Sequence, residues 1–216
     1  MRTGDSSFHD AEAISDGGTG IHDWLNLPHG SEPTSLWDCL HDAHVVSIRS
    51  ALLERTLTLF CDIEHLRSFH QLNEGFQFVL RLEGVQSARV SRYAIWPGTF
   101  SVPAGVSREE ESPLVAEYQA KWREESASWK DFEASVTRED EQVFDISDAA
   151  VAVSQKGLVA LRICGHLNYA SYHEVFLRGE RFAISGSDGK EFKLEEFHKL
   201  GERYWEAFSL RSKFGK

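Results

Sequence analysis

The sequence predicts an antiparallel, β-rich α+β protein made of two related sheet-plus-helix halves. Three observations carry this expectation. Runs of strict two-residue apolar alternation recur between residues 37 and 93 and return after residue 142, as strands with one buried face require. Each set is followed by an aromatic-rich stretch with three-four spacing, the period of a helix that covers a sheet. The two sets also share an order: strand, hairpin, strand, polar excursion, strand, turn, strand.

Residues 1–35 form a polar, acidic leader rich in Gly, Ser and Asp, with Gly17-Gly18-Thr19-Gly20 and no sustained period. That composition reads as disorder. The first β-rich half spans residues 36–112. Trp37 to His44 runs into Val45-Val46-Ser47-Ile48-Arg49, and Glu54-Arg55 breaks the pattern. Leu57, Leu59, Cys61 and Ile63 then alternate, followed by a polar excursion over 64–72 with room for a helical turn. Phe76, Phe78, Leu80 and Leu82 share the next face, Gly84 punctuates, and Val85 to Val90 reads as a fourth strand. The connection over 94–113 contains Trp96-Pro97-Gly98, Pro103 and Gly105, which prevent regular structure.

A linking helix is expected over 113–141. Ser112 suits a cap and Pro113 the first helical position. Val115, Tyr118, Trp122, Trp129, Phe132 and Val136 make its apolar stripe, interrupted at Glu125. Such a stripe suits a sheet face, and equally a homodimer interface. The second β-rich half spans 142–216. Ala149–Ser154 and Leu158–Cys164 flank a Gln155-Lys156-Gly157 turn. Tyr172–Leu177 and Arg181–Ser185 are separated by Arg178-Gly179-Glu180, and Asp188-Gly189 makes a further turn. A final helix over Leu194–Leu210 is expected to bury Leu194, Phe197, Gly201, Tyr204, Trp205 and Phe208.

An internal duplication would explain the echoes. Asp42-Ala43-x-Val45 recurs as Asp148-Ala149-x-Val151, Leu57-x-Leu59-x-Cys61 as Leu158/Leu161-x-Ile163-Cys164 with a small shift, and Leu80-x-Leu82-Glu83-Gly84 as Phe176-Leu177-Arg178-Gly179. A duplication predicts two similar antiparallel sheets, each packed on one helix, while the sequence leaves open whether the halves form one sheet or two.

Charge narrows the function classes. The net charge is −11. Residues 1–35 carry −5 and residues 107–141 carry −6, whereas 36–106 carry −1 and 142–216 carry +1. This is the opposite of a nucleic-acid footprint, and it disfavours acidic membranes. No apolar run approaches the ~18 residues of a membrane helix, and the N-terminus lacks a secretory apolar core, so the cytoplasm is the expected compartment. Cys39, Cys61 and Cys164 are isolated, which argues for buried reduced thiols rather than disulfides or a cysteine-rich zinc site.

Leu40-His41-Asp42-Ala43, a hairpin, and then Leu82-Glu83-Gly84-Val85 resemble a pattern of small uncharacterised bacterial proteins. Some of these are similar to immunity proteins of contact-dependent toxin systems. The resemblance covers about residues 37–93. It implies a β-rich α+β fold and a protein-binding role, with a basic partner suiting the acidic segment, and it transfers no functional residue.

Two function classes follow. In the first, the chain is a binding module without catalysis or cofactor. Trp96 and Phe100, with Glu109, Glu110 and Glu111, are then the expected contacts, because interfaces use aromatic anchors and charge matching. In the second, His41, Asp42, His44, His65 and His70 hold the metal of a hydrolase, as imidazoles and carboxylates at strand ends can. Against it, His41 and His44 point to opposite faces if extended, and no His-Glu-x-x-His spacing occurs. No nucleophile elbow or phosphate-cradling loop is present. His166 and His173 flank the second polar excursion, in a position parallel to His65 and His70.

Overall fold

The computed structural model describes residues 32–51, 53–94, 113, 123–125, 127–137, 144–168 and 171–214. The leader up to residue 31 and most of the connection over 95–122 lie outside the described residues.

The first half begins with β1 (Thr34–Ser35) and a single turn of helix, α1 (Trp37–Leu40). The hairpin β2 (Ala43–Ala51) and β3 (Thr56–Asp62) leads into α2 (Glu64–Phe69). Next come β4 (Phe78–Glu83), β5 (Ser87–Ala94) and β6 (Arg123–Glu125). Helix α3 (Trp129–Thr137) precedes the second half. That half holds the hairpin β7 (Phe144–Val153) and β8 (Val159–Leu167), then β9 (Ser171–Gly179), β10 (Arg181–Gly186), β11 (Glu191–Phe192) and α4 (Leu194–Phe214).

All strand pairs are antiparallel, and they form one sheet rather than the two that a duplication predicts, in the order β11-β10-β4-β3-β2-β7-β8-β9-β5-β6. The path closes on itself. β9 runs into β10 through Glu180 alone, and β4 runs into β5 through residues 84–86. These two long strands pair along their whole length, β4 with β10 and β5 with β9. Backbone bonds carry the ladder across the kink, from Glu180 N to Glu83 O and from Gln86 N to Arg178 O, each 2.8 Å. Gly84 and Arg178-Gly179-Glu180 are therefore bends within strands, not the turns that their composition suggests. The result is a six-stranded barrel whose closure removes most free edges.

Each half contributes a hairpin and one bent strand, and each hairpin has a register shift, at Val45/Ser47 and at Ile146/Asp148. The shifts make Val45 the counterpart of Ile146, and not of Val151 as the Asp42-Ala43 and Asp148-Ala149 echo has it. A bulge adds twist, which helps so few strands curl. The halves join at a short seam where Ala43, His44 and Val45 face Ile146, Asp145 and Phe144. Beyond the seam the strands diverge, and each exposed edge is covered. On β2, Ser50 N donates to Glu133 Oε1 and Trp129 Nε1 donates to Ser50 Oγ, so α3 lies there. On β7, β1 pairs through Thr34–Val151 and Ser35–Ala150.

Alternation decides what fills the barrel. Val45, Ile48, Leu57, Leu59, Cys61, Phe78, Leu80, Phe144, Ile146, Leu161, Ile163, Val175 and Leu177 belong to one buried core. Each such side chain contributes about 1.5–3 kcal/mol on burial. The three cysteines are buried and free.

Two expected elements differ. Trp37–Leu40 is helical rather than extended, since one turn seats Cys39 and Leu40 in the core. The linking helix is not continuous: Arg123–Glu125 pairs with β5 as a strand, because an available sheet edge outweighs local helical propensity. Trp129, Phe132 and Val136 are buried as their spacing predicts. No helix among the described residues is long and apolar enough to cross a membrane.

Candidate functional site

The inward residues at the seam force their neighbours outward. With Val45, Cys61 and Ile146 in the core, pleating turns His44, Asp62 and Asp145 to the outer face. Register then aligns Asp62, His44, Asp145 and His166 as successive partners across β3, β2, β7 and β8. His44 Nδ1 donates to Asp145 Oδ1, and Arg67 clamps Asp62 through Nε and NH2 at 3.1 and 3.3 Å. Charges and imidazoles thus alternate along one line over the seam.

Two helices raise walls above this line. α2 brings His65, Ser68 and Phe69, and α4 brings Tyr204 and Trp205, around a cleft of ≈ 820 Å³ that Asp42, Glu64, Asp145 and His166 also line. Gly201 makes the placement of α4 possible. A Cβ there would overlap the Asp38 carbonyl of α1, so a larger residue would push the helix away. Trp205 Nε1 donates to that same carbonyl at 2.9 Å. His70 Nε2 ties α2 to α4 through the Leu200 carbonyl at 3.1 Å.

An aromatic platform continues from the cleft. Trp37 stacks on Trp205 at 5.0 Å and on His41 at 4.6 Å, and Trp205 meets Phe208 at 5.7 Å. Phe208 is 52% exposed and Trp37 37%, so the expected burial of Phe208 is corrected. Its helix extends past the elements that cover Phe197 and Gly201. Asp38 and Glu202 border the platform, both held near His198, at 3.7 and 3.4 Å.

Burial lowers the pKa of His65, partly offset by the Asp38 carbonyl, and also lowers that of His166, partly offset by Asp145. Both rings are biased toward the neutral form. His65 Nε2 and His166 Nδ1 are buried without a hydrogen-bond partner.

Of the residues expected to bind metal, the cleft gathers Asp42, His44 and His65. His41 and His70 are committed elsewhere, as donors to the carbonyls of Ser147 and Leu200. Among the described residues no group of three or more His, Cys, Asp or Glu is arranged to hold a metal ion, so the five do not make a ligand set. The expected interface residues Trp96, Phe100, Glu109, Glu110 and Glu111 lie outside the described residues. Sequence reasoning missed Asp145, Tyr204 and Trp205 as site residues. The signal for Asp145 was the alternation Phe144-Asp145-Ile146, which turns the acid outward.

Comparison with family models, with curated proteins and with solved structures finds no match.

Proposed function

We propose that the protein is a protein-binding module of the immunity-like kind, without catalysis of its own, which takes a basic partner in the bacterial cytoplasm. One observation carries the reading: the half-exposed stack of Trp37, Trp205 and Phe208, bordered by Asp38 and Glu202. Exposed aromatics beside carboxylates are the usual anchors of an interface with a cationic surface. The net charge of −11 favours the approach of such a partner. We further infer that the two halves arose by duplication. The bulge in each hairpin and the equivalent bends at Gly84 and Gly179 support this.

The test uses the full chain as bait in extracts of its own host, in wild-type form and as the Trp37→Ala/Phe208→Ala variant. Both sites are surface-exposed, so the variant keeps its core. A basic protein retained by wild type, lost from the variant and rebinding when both are purified is the expected result. Equal retention by both baits contradicts the platform as the interface.

A further inference from the structure

We propose that the cleft over the seam is a socket for a guanidinium group, supplied by an arginine side chain of the protein partner. The proposal rests on the binding reading above. It deepens that reading by naming the chemistry of the anchor.

Carboxylates, imidazoles and aromatic rings make up most of the cleft lining, with the hydroxyls of Ser68 and Ser147 and the Gln71 amide beside them. Asp42, Glu64 and Asp145 bring carboxylates, and among the described residues no Lys or Arg lines the space. The nearest guanidinium by sequence, that of Arg67, is already committed to Asp62. Asp145 is engaged by His44, but the Asp42 side chain is 76% exposed with only a 3.6 Å approach to His41. Glu64 has no ion-pair partner among the described residues. The buried nitrogens of His65 and His166 lack partners as well. On a neutral ring such a nitrogen can accept a hydrogen bond. Tyr204 and Trp205 supply flat faces.

A guanidinium answers each of these needs. It carries five N–H donors and no acceptor, so it can satisfy carboxylates and imidazole lone pairs without leaving an orphan of its own. Its plane stacks on indole and phenol rings, which an ammonium cannot do. An anion would meet the carboxylates and, among the described residues, no Lys or Arg. The volume of ≈ 820 Å³ exceeds that of a guanidinium alone, and accommodates an arginine side chain with part of its backbone. The cleft is also continuous with the platform through Trp205, so one partner surface can fill both.

The probes are n-butylguanidinium, n-butylammonium and butyrate, titrated calorimetrically into the wild-type chain and into Asp42→Asn/Glu64→Gln. Asparagine suits position 42, where the backbone is left-handed at φ 61, a conformation it tolerates. Wild type is expected to bind n-butylguanidinium in preference to n-butylammonium and not to bind butyrate. The variant should bind the guanidinium about tenfold more weakly or worse. No guanidinium binding, or binding undiminished in the variant, overturns the socket. A basic protein partner that binds the double variant as tightly as wild type also overturns it, and leaves the platform reading intact. Strong guanidinium binding with no platform-dependent partner keeps the socket, assigns it to a free small cation, and removes the protein partner.

Discussion

His44 and Asp145 are Cα partners at the centre of the three-residue seam between β2 and β7, and they are also joined side chain to side chain. One contact therefore serves two purposes: it helps close the barrel, and it sets the floor of the cleft. Asp145 is largely shielded, with 16% of its side chain exposed, whereas His44 is 42% exposed. Asp145→Ala should cost about 1–2 kcal/mol, less than a fully buried charged hydrogen bond. Urea unfolding measures the loss. Hydrogen exchange should place it at Ala43–Val45 and Phe144–Ile146, and protection lost evenly over the whole barrel would argue against a local seam.

His173 makes the protein acid-sensitive. It is 4% exposed, against Phe132 and Phe144. Burial, aided by the nearby Arg92 and His166 charges, lowers its pKa from 6.5 to about 4. The unfolded chain thus takes up this proton near pH 6.5 and the folded chain only near pH 4. Stability must rise with pH across that window, and acidification removes on the order of 3 kcal/mol. His65 and His166 act in the same direction. Urea midpoints at pH 7, 5.5 and 4.5 should fall steadily, and His173→Phe should flatten the dependence. An unchanged slope in that variant would assign the acid sensitivity to other groups.

Gly201 is where α4 crosses α1. Gly201→Ala should cost about 1–3 kcal/mol, the usual range for overpacking, because the added methyl meets backbone rather than a yielding side chain. It should also separate Trp37 from Trp205, which near-ultraviolet circular dichroism reads. A variant with wild-type stability and spectrum would mean that α4 is more loosely seated than this contact implies.

The thiols should be silent. Burial pushes Cys39 and Cys61 up to about 12 and Cys164 up to about 11. Since thiolate is the reactive form, a disulfide reagent at pH 8 should label the native chain only as fast as it opens. In denaturant three thiols should react at once. Rapid labelling of one cysteine in native conditions would place it in a local opening.

Much of this architecture was legible, and what was not has a physical reason. Leu57-x-Leu59-x-Cys61 and Phe78-x-Leu80-x-Leu82 mark inward positions because pleating alone places every second residue on one face, and all six are buried. Periodicity says nothing about which strands pair. The crossing of β4–β5 with β9–β10 turned two glycine-marked bends into continuous strands and joined the two halves in one barrel. The cleft was half visible: His44, His65 and Asp42 stood out by residue type. Their partners Asp145, Tyr204 and Trp205 lie about 100 residues or more further along the chain, and only barrel closure and the packing of α4 bring them near.

The most direct measurement is native mass spectrometry of the protein purified gently from its own host, which weighs bound protein, bound metal and copy number together. The account predicts a complex of this chain with a basic protein, and dissociation of that complex in the Trp37→Ala/Phe208→Ala variant. A chain that carries a stoichiometric metal-sized mass and no protein partner would contradict it, and would return attention to Asp42, His44 and His65.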